Sequence, residues 1–200
     1  MAPLDKAILK ERAAQIVQQH RGIYPVYETF YIQSIIYAAE RSDTAFQRFD
    51  KAVAESRSAA LIYAAVQEAL THAGALSRFF WPAKKDSQLA AARGERLREA
   101  FALEETSALK CRHLRNALEH FDEDLDLFLL EDRCGFFFPG PLVDDHTLAD
   151  EDIGNIFKLV DPNGGVCVLL GKKFEFVPIW REVQRVLSRA REMDEQGSRL

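Results

Sequence analysis

Ser107-Ala-Leu-Lys-Cys-Arg-His-Leu-Arg-Asn-Ala-Leu-Glu-His-Phe-Asp-Glu-Asp-Leu-Asp126 is the stretch on which the reading of this chain turns. Its spacing predicts one helix, because at about 100° per residue Leu114, Ala117, Leu118, Phe121, Leu125, Phe128 and Leu129 fall on one stripe. Arg112, Arg115, Asn116, Glu119, His120 and Glu123 fall on the other side. Arg115 and His120 are then roughly 140° apart around the axis with Asn116 between them. The expectation is a polar groove that faces away from the core.

Those residue types suit phosphodiester chemistry. A guanidinium grips phosphate oxygens in bidentate fashion, and histidine moves a proton near neutral pH. The run Arg115-Asn-Ala-Leu-Glu-His120 resembles the RNxxxH form of the Arg-x4-6-His motif of HEPN domains, helical domains of many prokaryotic ribonucleases and defence toxins. The resemblance implies an all-α antiparallel bundle and a metal-independent endoribonuclease, acting at the interface of a homodimer. It implies Arg115 as phosphate clamp, His120 as general acid or base, and Asn116 as the group that orients the scissile phosphate. It also implies no metal and no cofactor, with RNA and an antitoxin or regulatory protein as partners in a toxin or phage-defence system. Arg112 and His113, beside the groove, are candidate substrate-binding residues. The other reading open at this point is a non-catalytic dimeric HEPN-like bundle that binds a protein or a nucleotide.

Composition sets the bounds. Two hundred residues, 48% hydrophobic and 28% charged, suffice for a real core. A net charge of −5 argues against coating nucleic acid broadly and leaves room for a local basic pocket. Cys111, Cys134 and Cys167 form no CxxC pair, so reduced thiols and a cytoplasmic protein are expected. The N-terminus lacks a signal-peptide core and no stretch is apolar enough to span a membrane. HExxH, Walker, GxSxG and GxGxxG patterns are absent. His72 reads as a core or edge histidine, and Phe79-Phe80-Trp81 as a core anchor.

Along the chain, helices are expected from Asp5 to His20, and from Pro25 through Ala39 with a break or bend at Ser42-Asp43. Further helices are expected from about Val53 to Trp81 and from Leu89 to Leu103. Thr106 or Ser107 then caps the motif helix. Together these make a HEPN-like bundle of four or five helices over residues 1–132. Residues 133–200 read as an appendage that packs on the bundle: an aromatic, proline-rich linker (Phe136–Leu142), an acidic stretch, a small β-hairpin turning at Asp161-Pro-Asn-Gly-Gly165, a third short strand from Phe174 to Val177 after a turn at Gly171-Lys172, and a closing helix opened by Pro178.

Overall fold

The structure, a computed structural model, describes residues 5–83, 87–131, 135–151 and 154–200. Cys134 therefore lies outside the described residues. The chain is mainly helical, with a C-terminal four-stranded sheet and a closing helix. The helices are α1 (Lys6–His20), α2 (Glu28–Ala54), α3 (Ala59–Phe80), α4 (Gln88–Ala100), α5 (Arg112–Glu119), α6 (Phe121–Leu130) and α7 (Val177–Glu195). The strands are β1 (Phe136–Val143), β2 (Gly154–Asp161), β3 (Val166–Leu169) and β4 (Lys172–Glu175). No described helix is long and apolar enough to cross a membrane.

The capping residues set the helix ends. Asp5 accepts from the Ala7 N–H and opens α1, while Arg21 closes it in the left-handed region (φ 53°). Pro25 starts a 3-10 turn, Pro25–Tyr27, that leads into α2. Helix α2 runs unbroken through Ser42 and Asp43, against the expected bend. Both side chains are committed across helices instead of capping. Buried Ser42 donates to the Ala69 carbonyl on α3 at 2.9 Å, and Asp43 accepts from the Trp180 indole on α7 at 2.7 Å. The turn between α2 and α3 falls later than the start expected near Val53. Ser56 adopts φ 50°, and the Arg57 N–H reaches back to the Ala52 carbonyl, so the chain closes α2 before Ser58 opens α3.

Helices α2, α3 and α7 form the heart of the molecule, and the closing helix contributes to the main core. Phe46 stacks on Phe176 and Trp180 at 6.0 and 5.1 Å, and Phe49 meets Phe176 edge-on at 5.2 Å. Val183, Val186, Leu187 and Ala190 of α7 are buried in the same cluster as Ile32, Ile35, Val66 and Leu70. Phe80, fully buried against Phe101 at 5.3 Å, is the core anchor expected of the Phe-Phe-Trp run.

The expected hairpin is part of a larger sheet, ordered β1-β2-β3-β4. The stretch read as a proline-rich linker is β1, which pairs parallel with β2, with a shift of register between Phe138 and Pro141. Prolines are tolerated there because β1 is an edge strand. Strands β2, β3 and β4 are antiparallel neighbours. The sheet's buried residues divide between two clusters. Val160, Cys167 and Phe174 join the helical core, while Ile156, Leu159, Val166 and Val168 form a second cluster with Leu142 and Leu148. A 3-10 helix, His146–Asp150, carries the chain from β1 to β2 and contributes Leu148 and Ala149 to that second cluster.

Candidate functional site

The motif stretch is not one helix. Ser107 caps a 3-10 turn over Ala108–Lys110, α5 follows, and His120 ends it with φ −110° and ψ 33°. The His120 N–H still donates to the Asn116 carbonyl, and the His120 carbonyl accepts from the Asp124 N–H, so one residue closes α5 and opens α6. The kink redirects the apolar stripe. Phe128 is buried against Phe157, with ring centroids 5.1 Å apart, whereas Leu129 is exposed instead of core-facing.

Arg115 departs most from expectation. Its side chain is buried, 8% exposed, rather than facing outward. Its stem passes over Gly74 of α3, where a Cβ would stand 3.7 Å from the Arg115 Cγ. Its Nη1 donates a long 3.5 Å bond to the Trp81 carbonyl. The kinked, eight-residue α5 packs on α3 along a face that includes Leu114, Arg115 and Ala117, so position 115 is carried inward. Among the described residues no carboxylate pairs with this guanidinium. Burial holds its pKa below the usual arginine value, and the nearby charges of Arg78 and Arg112 push the same way. Arg98 lies over the Trp81 ring at 5.9 Å, adding a fourth arginine to the neighbourhood.

The remaining motif residues are at the surface. Arg112 and His113 are exposed in the first turn of α5, Asn116 is exposed, and His120 is exposed with its Nδ1 3.6 Å from a Glu123 carboxylate oxygen. Glu119 pairs with Arg78 of α3, so this acidic residue inside the motif is neutralised locally. No hydrogen bond or ion pair joins Arg115 to Asn116 or His120 among the described residues. Arg115 thus supplies a recessed positive charge, and His120 an open imidazole at the helix junction.

Next to the N-terminus of α5, a cleft of about 790 Å³ separates it from β4 and the start of α7. His113, Lys110, Cys111, Lys172, Phe174 and Pro178 are among its lining residues. Its lysines are matched by carboxylates: Lys110 with Glu105, Lys172 with Asp124, and Lys173 with Asp150. Cys111 is a half-buried free thiol. Buried Cys167 is also free, and burial pushes its thiol up to about 12, which removes it as a nucleophile at neutral pH.

A second constellation has no counterpart in the sequence reading. Asp145, His146 and Asp161 bring one ligand atom each within 4.8 Å of one another. Two carboxylates and an imidazole are a plausible donor set for a divalent ion. Both Asp161 oxygens, the Asp145 Oδ1 and the His146 Nδ1 are, however, already engaged. Asp161 accepts from the Asn163 and Gly164 N–H groups at 2.9 and 2.7 Å, and its other oxygen lies 2.7 Å from His146 Nδ1. Asp145 accepts from the Thr147 N–H and hydroxyl and so caps the 3-10 helix. Burial pushes the Asp161 carboxyl up, and the bonds from Gly164, His146 and Asn163 more than reverse it, leaving its pKa below the ordinary value. A Cβ at Gly164 would stand 2.5 Å from an Asp161 oxygen, so this turn position needs glycine. The cluster fastens the crossover to the β2–β3 turn. Nothing in the spacing of residues 145–146 and 161 signals that meeting, which depends on β1 pairing parallel to β2.

No protein-family model, curated protein or solved structure matches the chain.

Proposed function

We propose that this chain is a HEPN-like RNA-handling protein that cleaves RNA without a metal ion, with Arg115 and His120 as its working pair. The observation that carries the reading is the recessed Arg115 guanidinium, which has no carboxylate among the described residues and stands near Arg78 and Arg112. A buried cation without a counter-ion is expensive, and an incoming phosphate would supply the missing charge in the geometry that arginine favours. Arg112 holds the flanking phosphate and Asn116 orients the scissile one.

His120 takes the proton of the ribose 2′-hydroxyl as its oxygen attacks phosphorus. The P–O5′ bond breaks, the 5′-oxygen picks up a proton from water, and a 2′,3′-cyclic phosphate remains. The exposure of His120 fits a group that must meet a substrate. A role in a toxin or phage-defence system, with a neutralising partner protein, belongs to the same proposal.

The burial of Arg115 along Gly74 also favours a second reading, in which the motif serves helix packing and the bundle is a non-catalytic binding module. Incubating the purified chain with labelled single-stranded RNA in EDTA separates the two. Cleavage that leaves cyclic phosphate ends, and that His120→Ala abolishes without moving the melting temperature, supports the nuclease. Wild-type protein that neither cleaves nor binds RNA, in EDTA or in magnesium, leaves the binding module. Cleavage that needs magnesium would assign the chemistry to other residues.

A further inference from the structure

Exposed aromatic residues run from the 3-10 turn Pro25–Tyr27 and its N-cap onto the outward face of α2, where a solvated surface would carry polar ones. Tyr24, Tyr27, Phe30 and Tyr37 are 42, 50, 65 and 65% exposed, and Val26 beside them is 62% exposed. His20, Tyr24, Tyr27 and Phe30 form a continuous ladder with centroid spacings of 4.8, 5.6 and 6.1 Å. Tyr37 follows Phe30 two turns later on the same side. Exposed positions Tyr27, Phe30, Ser34, Tyr37 and Arg41 succeed one another at intervals of three and four residues. That is the spacing of a helix–helix seam.

We infer that this seam is the contact between two copies of the chain, whose α2 helices pack antiparallel about a two-fold axis near Ser34. The pattern is self-complementary, as a two-fold contact requires. With the axis at Ser34, Phe30 of each copy meets Tyr37 of the other, and the small serines face each other where the helices approach closest. Tyr27 then meets Arg41 of the other copy. Arg41 is available for that contact, because it lies 3.8 Å from Glu68 while Arg48 holds the same carboxylate at 2.6 Å.

The rings supply about half of the area such a contact needs, and their exposed neighbours must supply the rest. At roughly 200 Å² per large aromatic side chain, the four rings leave on the order of 450 Å² open. A standard interface takes about 800 Å² from each partner, and Val26, Gln33, Ser34 and Arg41 surround the rings. Nucleic acid is a poorer fit. Successive rings are tilted by 87, 53 and 57° and cover one another's faces, so they offer no flat stacking platform. The inference does not depend on the RNA reading, because the seam contains no motif residue.

The full-length chain, followed by sedimentation equilibrium from 1 to about 100 µM (a range that brackets an ordinary interface), should show a monomer–dimer equilibrium. Phe30→Asp and Tyr37→Asp should each weaken it at least about 30-fold, the scale of an interface hot spot. Both should keep the wild-type melting temperature, since neither ring is in the core. Ser34→Cys should give a disulfide-linked dimer on mild oxidation above the wild-type background of native cysteines. Thr44→Cys, about 15 Å along the helix from the axis, should not.

A monomer at every concentration overturns the inference. So does a dimer indifferent to both aspartates, or one that cross-links equally at positions 34 and 44. A monomer that binds oligouridylate through Tyr37 would give the seam to nucleic acid instead.

Discussion

Two regions of this molecule bury a charged side chain in opposite ways. At the β2–β3 turn, Asp161 is 5% exposed and accepts from backbone N–H groups of three residues and from an imidazole nitrogen. At the α3–α5 contact, Arg115 is 8% exposed with one long bond to a carbonyl and two arginines as electrostatic neighbours. The first arrangement is complete within the chain and holds the crossover in place. The second has no carboxylate partner among the described residues. A carboxylate whose two oxygens are both engaged, as at Asp161, has little left for a ligand.

The contrast can be broken by mutation. Asp161→Ala should cost most, about 2–3 kcal/mol, because it takes the acceptor from three partly buried backbone N–H groups and an imidazole at once. Urea denaturation checks this, and a loss under 1 kcal/mol would mean that the turn holds without its carboxylate. The same pair of proteins tests the charge. Since the folded-state pKa of Asp161 is depressed, its ionised form contributes stability above roughly pH 4, the ordinary aspartate range. That contribution is lost as pH falls through the folded value, so the gap between wild type and Asp161→Ala should narrow below about pH 4. A gap constant from pH 7 to pH 2 would show that the charge itself adds nothing.

Arg115→Met sharpens the other side. Exchanging a buried cation that has no carboxylate partner among the described residues for an apolar chain of similar length should leave stability unchanged or raise it by about 1 kcal/mol, while RNA cleavage disappears. A drop beyond about 2 kcal/mol would assign Arg115 to packing. The smallest effect is expected at His120→Ala, within about 0.5 kcal/mol of wild type because the ring is exposed, again with cleavage lost.

How far the sequence could be read varied with the range of the contacts. Local chemistry was legible: the helix from about Asp5 to His20, Pro25 and Pro178 at helix starts, and the Asp161–Gly165 turn each depend on residues a few positions apart, whereas Ser107 caps a separate 3-10 turn and not the motif helix it was expected to open. The apolar stripe of the motif stretch was half legible, since Leu114, Ala117 and Phe128 are buried as expected. The inward turn of Arg115 was not legible. Periodicity places a residue on a helix face but does not say whether a neighbouring helix, here α3 at Gly74, covers that face.

The amino-acid sequence by itself determined a mainly helical chain with β structure near its C-terminus, along with both ends of α1 and the starts of α2, α4 and α7. Those follow from side-chain spacing and from backbone preferences acting within a few residues. Tertiary structure alone decided that a proline-rich stretch is a strand, that Phe176 and Trp180 stack on Phe46, and that His146 meets Asp161. It also decided that the two ends of one short motif face different environments, arginine inside and histidine out. Each of these outcomes is set by contacts between distant segments, whose strength depends on geometry that no local pattern records.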